Sequence, residues 1–317
     1  MMKRRHADTV LDAVQSPGRA AMSMLVASWR RSLMRHHLDP AKQSQDIFVT
    51  GSELRVIRES NETLLNVSQS ILDRVFHTVG TAGCCVALAD INGVILERRA
   101  TAQDTADFTF MGLADGGCWG EGSVGTNGVG TCLYEKQPVT VYRDQHFSER
   151  NIGISCMDAP IYDPFGRLVA ALDVSNCRRD FSPVMARMTS ALVLDAARQI
   201  GDAYFCRHFS RDRIVLIHQD SQAGAAMLAV DQDNIVVGAT RTARTFLSID
   251  DKVLAEGRSL DQVTGYEADP SFIDAERAVL RQALASVGGN ASEAARRLGI
   301  GRATLYRRMA RTGLKTN

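Results

Sequence analysis

Two long amphipathic segments with short apolar runs between them limit what the middle of this chain can become. Over residues 52–79, Leu54, Ile57, Leu64, Ile71 and Val75 recur at steps of three, four or seven, with Asn61 and Ser68 interrupting, which predicts an amphipathic helix. A second helix is expected after Phe181, where Ser182 suits the cap and Pro183 the first helical position, with Met185, Met188, Leu192, Gln199 and Ala203 as its stripe. Between them, residues 84–89, 94–96, 138–142, 154–162 and 167–174 read as strands. Asp90-Ile91-Asn92-Gly93 and Asp163-Pro164-Phe165-Gly166 supply turns. The pattern predicts an α+β unit, a sheet with helices at its two ends.

The rest of the chain adds smaller pieces. Residues 225–237 alternate around a turn at Asp231-Gln232-Asp233-Asn234, residues 241–246 are helical, and Gly257-Arg258-Ser259-Leu260 reads as a return, which together predict a small sensory-type module over about 209–268. Asp269-Pro270-Ser271 breaks the chain before a helix over 272–287 that Gly288-Gly289 ends.

With 317 residues, 45% apolar and 23% charged, the chain has the composition of ordinary packed domains, two or three in number, and not of collagen or a low-complexity polymer. The net charge of +1 conceals an asymmetry. Of 37 Lys and Arg and 36 Asp and Glu, residues 276–317 hold nine basic and only two acidic side chains, leaving 28 basic against 34 acidic before them. An acidic body with a basic end is expected when that end meets a polyanion. The first six residues are basic, but no apolar segment of signal-peptide length follows, and the longest run free of charged and strongly polar residues, 223–230, is far too short for a bilayer. Seven cysteines, odd in number and without a Cys-x-x-Cys, complete the expectation of a reduced, cytoplasmic protein with no membrane partner.

The basic end has its own pattern. Asn290 can cap a short helix, with Glu293 completing a capping box, and Ala294, Ala295 and Leu298 form its inner face. Gly299-Ile300-Gly301 breaks the chain before a second helix, residues 302–311, whose Leu305 and Met309 point inward. This is a helix-turn-helix, with Ala295 and Gly299 small where two helices meet. Arg302, Thr304, Tyr306, Arg307, Arg308 and Arg311 are then the candidates to meet double-stranded DNA, since Arg can read guanine and Thr and Tyr can grip phosphate. The plainer alternative is a solvated basic helix pair. The run from Gly289-Asn290 through Ala294-Ala295-Arg296-Arg297-Leu298-Gly299-Ile300 to Thr304-Leu305-Tyr306-Arg307-Arg308-Met309 resembles the Fis-type helix-turn-helix. That resemblance implies a homodimer formed through residues 272–287.

Gly120-Glu121-Gly122-Ser123-Val124-Gly125 matches the phosphate-cradling G-x-G-x-x-G, which keeps a nucleotide-binding enzyme as an alternative. The context is wrong, because no strand precedes it, and five glycines in eleven positions argue against a helix starting here. No Ser-His-Asp order, carboxylate pairing or metal spacing supports an enzyme either. The same residues fit another pattern. Trp119-Gly120-Glu121, Gly125-Thr126-Asn127-Gly128-Val129-Gly130-Thr131, His146-Phe147 and Ala159-Pro160-Ile161-Tyr162-Asp163-Pro164-Phe165-Gly166 resemble, in order and spacing, the GAF domain of the acetoin catabolism regulator family. Ser28-Trp29-Arg30-Arg31-Ser32 with Leu38-Asp39-Pro40 is similar to that family's leader, and residues 225–265 to its PAS-like segment.

The resemblance implies a leader over 1–51, a GAF sensor over 52–206, a PAS-like module over 209–268 and a DNA-binding domain over 270–317. It also implies a small-molecule effector held under covering loops, with Trp119 as an apolar wall and Asn127, Thr131, His146 and Cys156 around it. Each of these has a structural alternative as core, turn or satisfied polar residue. One departure is large. Family members place an AAA+ ATPase between sensor and helix-turn-helix, yet none of the five lysines (3, 42, 136, 252 and 315) follows glycine, so there is no Walker A, and 209–270 is too short for an ATPase. The expected function is a DNA-binding transcription regulator acting without ATP hydrolysis, through occupancy, RNA polymerase contact or an activator supplied in trans. Alternatives are a thiol sensor using Cys118, Cys132 and Cys156, although their spacing is unlike a metal site, or an architectural DNA-bending protein.

Overall fold

The computed structural model describes residues 5–42, 47–218, 224–265 and 272–314, so Asp269-Pro270-Ser271 and parts of the expected leader and small module lie outside the described residues. The chain divides into two compact units, Met1–Gly257 and Arg258–Asn317.

The first unit begins with three helices, α1 (His6–Val14), α2 (Pro17–Met22) and α3 (Met24–Met34). Then α4 (Gly51–Ser60) and α5 (Glu62–Val79) replace the single helix expected over 52–79. Asn61 makes the break: it leaves helical dihedrals, at φ −109 and ψ 17, and its side chain donates back to the Ile57 carbonyl at 2.9 Å. This is the helix-terminating habit of Asn.

The sheet contains β1 (Cys84–Asp90), β2 (Ile95–Arg99), β3 (Val139–Tyr142), β4 (Ser155–Tyr162) and β5 (Leu168–Asn176), all paired antiparallel in the order β2-β1-β5-β4-β3. Every expected strand is present. Three short helices, α6 (Thr105–Phe110), α7 (Glu121–Val124) and α8 (Gly128–Glu135), lie in the connections between β2 and β3.

Period-2 alternation splits the sheet's side chains between two cores. Cys84, Val86 and Leu88 of β1, Met157, Ala159 and Ile161 of β4 and Leu172 and Val174 of β5 pack with α5 and with α9 (Pro183–His208). Cys85, Ala87 and Ala89 face the other way, onto Phe108, Trp119, Val129 and Cys132. Burial on both faces explains why β1 is buried at all seven positions.

The start of α9 follows expectation, since the Ser182 side chain accepts from the Met185 amide and Pro183 takes the first position. The inner stripe does not. Ala186, Thr189, Val193, Ala196, Ala197 and Ile200 are buried, whereas Met185 and Met188 are exposed. Small residues let α9 lie close to the sheet, so the contact selected side-chain size over apolarity.

Beyond α9 a second antiparallel sheet has the order β6-β7-β8, from β6 (Arg213–Ile217), β7 (Ala226–Val230) and β8 (Val236–Ala239), followed by α10 (Arg241–Leu247) and α11 (Asp251–Ala255). The alternation along the chain marks β7, β8 and α10 but not β6. That strand is fastened to α9 by Phe205 and Phe209, which pack with Ile214, Met227 and Ala229. The segment after Gly257 forms no strand among the described residues.

The second unit contains α12 (Leu260–Thr264), α13 (Phe272–Ala285), α14 (Ala291–Arg297) and α15 (Arg302–Arg311). Leu280, Ala294, Ala295, Leu305 and Met309 share one small core. The expected inward positions of the two final helices are the buried ones, apart from Leu298, which is only half-buried at the edge of that core.

Candidate functional site

The glycine-rich segment builds the lid over the outer face of the five-stranded sheet, and it does so as a helix. Contrary to the expectation that glycines would prevent one, α8 starts at Gly128. The Asn127 side chain accepts from the Gly130 amide at 2.8 Å and donates to the Gly125 carbonyl at 2.8 Å, capping the first turn. A Cβ on Gly128 would lie 1.8 Å from Oδ2 of Asp158, and one on Gly130 would lie 2.3 Å from the Glu121 amide. Close approach to the sheet at Gly128 and to the start of α7 at Gly130 therefore requires these glycines, and the packing so gained overrides their poor helix propensity.

The leader closes over this lid. Ser28 Oγ donates to Glu121 Oε2 at 2.8 Å and lies 2.7 Å from Thr126 Oγ1 and 3.3 Å from Thr131 Oγ1. Arg31 reaches Glu121 at 2.8 Å and Glu135 at 2.7 Å, and Trp29 Nε1 donates to the Gln145 carbonyl at 2.8 Å. The residues 28–32 motif is thus the surface that holds α7 and α8. The leader belongs to the same compact unit as the sheet.

All five residues expected to line an effector pocket are buried, and all have internal partners. Trp119 lies in the outer core and donates through Nε1 to the Gly112 carbonyl at 2.8 Å. Thr131 joins the Ser28 cluster. His146 and Cys156 are brought together, with Nε2 to Sγ at 3.3 Å. His146 Nδ1 donates to the Arg143 carbonyl at 2.9 Å, leaving Nε2 to accept. Burial pushes His146 down to about 4 and the Cys156 thiol well up, so the pair is neutral. A sensor thiol needs the opposite, a thiolate beside a cation. Burial raises each of the other six cysteines as well. The described residues contain no group of three or more potential ligands able to hold a metal ion.

Sequence reasoning missed the polar residues that continue from this pair. Ser175 lies opposite Cys156 in the β4–β5 register, its hydroxyl 3.2 Å from that sulfur and donating to the Asp173 carboxylate at 2.9 Å. Asp173 in turn lies opposite Asp158, whose two oxygens have no hydrogen-bond partner among the described residues as a carboxylate. Burial, and then the Asp173 charge, hold Asp158 well above the ordinary carboxyl range, and burial holds Asp173 at about 7. Protonated, Asp158 can donate to Asp173, which resolves the isolated oxygens. The signal was a lone Asp in each of two otherwise apolar or small-residue strands.

The second candidate site is α15. Asn290 accepts from the Ser292 and Glu293 amides, so the cap forms, but Glu293 turns to Arg296 at 2.6 Å and the reciprocal half of the capping box is absent. Gly299 has φ +64 and nothing within 4 Å of its Cβ direction, so the turn needs its left-handed backbone and not its size. Arg302, Ala303, Tyr306 and Arg307 are exposed, and Thr304 is half-buried. The Arg302 guanidinium lies 5.6 Å from the Tyr306 ring, and Arg307 donates to Thr304 Oγ1 at 3.4 Å. Arg308 and Arg311 turn aside to share the largely buried carboxylate of Glu276 on α13, at 3.3 and 2.5 Å. That counter-charge was not foreseen.

Comparison with known proteins agrees with both halves of the geometry. The model of the GAF domain matches residues 63–204, and that of the bacterial regulatory protein, Fis family, matches 272–311. The acetoin catabolism regulatory protein of Cupriavidus necator is 27% identical over 259 residues, covering 78% of this chain and 39% of the relative. The acetoin dehydrogenase operon transcriptional activator AcoR of Bacillus subtilis is 23% identical over 243 residues, covering 77% and 39%. The chain spans about two fifths of the length of these curated relatives. Among solved structures, the E. coli DhaR(N)–DhaL complex shares the fold at a TM-score of 0.52 with 18% identity, over 75% of this chain and 80% of that one. The chain thus carries a GAF domain followed by a Fis-family helix-turn-helix, and its homologues are acetoin catabolism regulators and transcriptional activators.

Proposed function

We propose that the protein is a sequence-selective DNA-binding transcription regulator whose GAF domain responds to a small molecule and whose output requires no ATP hydrolysis by this chain. The observation that carries the reading is the outward face of α15. Arg302 and Arg307 are exposed there with no carboxylate partner among the described residues, beside Tyr306 and Thr304, the donor set that base edges and phosphates require. Arg308 and Arg311, shared with Glu276, take flanking phosphate contacts and orient the helix.

A homodimer is part of this reading. Val279 of α13 is 52% exposed beside Leu280, Leu298 and Ile300, in a groove that Glu276, Arg308 and Arg311 also line, on the element that the Fis resemblance assigns to dimerisation. In the absence of a Walker A motif, control of transcription runs through promoter occupancy, with RNA polymerase or a separate activator as the further partner. The test is binding of the purified protein to fragments flanking its own gene at physiological salt, with Arg307→Ala beside wild type. Selective binding that Arg307→Ala weakens by about 1–3 kcal/mol supports the reading. Sequence-blind, steeply salt-dependent binding that all fragments share equally would overturn it in favour of an architectural protein.

A further inference from the structure

Among the described residues, a large cavity with both charged groups and an apolar wall lies outside the GAF core, in the seam between β4, α9 and α10, all within the first compact unit. Its volume of about 930 Å³ is in the range of ligand pockets. Pro160, Leu194, Ala197 and Phe205 give it carbon walls, and Phe246, half exposed, stands at its rim.

Charged groups of both signs line this seam. Lys136, Arg198, His218 and Arg241 line it with Asp163 and Asp202, and of these Arg198 and His218 are engaged in interactions of their own. Asp163 is committed to its own turn, where Oδ1 accepts from the amides of Phe165 and Arg167 at 2.9 and 2.8 Å. Asp202, although burial pushes it up to about 6, stays mostly ionised near neutral pH, and Arg198 on the adjacent turn of α9 favours that charge. The Arg241 guanidinium is held over the Tyr162 ring at 4.1 Å, and Tyr162 is itself anchored by donating to the Lys136 carbonyl at 2.8 Å. A cation stacked on an aromatic face keeps its in-plane donors available for a carboxylate.

We infer that this seam is a binding site for a small organic carboxylate with an apolar body, the anion paired with Arg241 and the body lying against Pro160, Leu194 and Phe205. The site is separate from the covered GAF interior and goes beyond the function proposed above, which needs no ligand here. Its place explains how occupancy would be felt: α9 runs from the five-stranded sheet to the three-stranded one, and α10 closes the cavity from the latter. A molecule in the seam therefore touches both sheets' supporting helices.

The experiment is calorimetric titration of the full chain, without DNA, with benzoate, hexanoate and neutral benzamide. Arg241→Met and, as a control in the GAF interior, Trp119→Phe are titrated in parallel. At least one carboxylate is expected to bind wild type and Trp119→Phe alike, to lose about tenfold in Arg241→Met, and to exceed benzamide by about tenfold. If Arg241→Met does not fold, Thr245→Glu, a carboxylate placed on the cavity wall at an exposed helical position, must produce the same loss. The inference is overturned if neither carboxylate binds at millimolar concentration, if benzamide binds equally, if Arg241→Met and Thr245→Glu bind as wild type does, or if Trp119→Phe alone abolishes binding. Because no outcome involves DNA, failure here leaves the α15 reading standing.

Discussion

Replacing Asp158 by asparagine should make the protein more stable at alkaline pH, which is unusual for removal of a buried residue. Asp158 and Asp173 face each other across β4 and β5, fully enclosed, and both carboxyls are held above their ordinary range. The folded state therefore keeps protons that the unfolded chain has already released. A group with a raised folded value stabilises fully below its unfolded value and loses that contribution as pH rises through the folded one. For Asp173 the loss begins near 3.8 and accumulates at about 1.4 kcal/mol for each pH unit by which burial raises its folded value. Asp158, held well above its ordinary range by burial and then by the Asp173 charge, adds a loss of the same sign.

The substituted amide cannot ionise, yet it can still donate to Asp173, as the protonated carboxyl does. Wild-type stability, measured by urea unfolding from pH 4 to 9, should fall with rising pH more steeply than that of Asp158→Asn, by up to about 1.4 kcal/mol per unit while folded Asp158 keeps its proton. The two proteins should be within about 1 kcal/mol of each other near pH 4, where even the unfolded wild-type chain still holds much of its proton and the substitution exchanges one neutral donor for another. Comparing the pair cancels the common contribution of the seven cysteines. Parallel curves over pH 4–9, or a variant less stable than wild type at pH 8, would refute the assignment of a retained proton to this pair.

Three further outcomes follow from the same contacts. Gly128→Ala places a Cβ 1.8 Å from Asp158 Oδ2 and 2.5 Å from Cys156 Cβ, so thermal unfolding should show a loss of about 3 kcal/mol despite alanine's better helix propensity. Glu121→Ala leaves Arg31 and Ser28 without their buried acceptor and should cost about 3 kcal/mol, read as selective proteolysis of the α1–α3 segment before the sheet is cut. Glu276→Gln releases Arg308 and Arg311, so non-selective DNA affinity should rise with a steeper salt slope while Arg307→Ala still removes site selectivity.

Local pattern alone determined much of this protein. The strand alternation, the Ser182-Pro183 start of α9, the Asn290 cap and the inward pair Leu305 and Met309 are short-range regularities. Each depends on residues within a turn or a pleat of one another, so each can be read along the chain. The charge asymmetry likewise pointed to the basic end without knowledge of its shape. Tertiary structure decided the rest, because it depends on which distant segment lies opposite. The face of α9 was set by how close the sheet approaches, which favoured Ala186 and Ala197 over Met185 and Met188. A helix began at Gly128 because Asp158, thirty positions later, leaves no room for a side chain there. Arg308 and Arg311 found Glu276 on another helix, and Ser28 found Glu121 across 93 residues. Such pairings leave no periodicity in the sequence, since the chain between the partners can have any length at small cost in closure entropy.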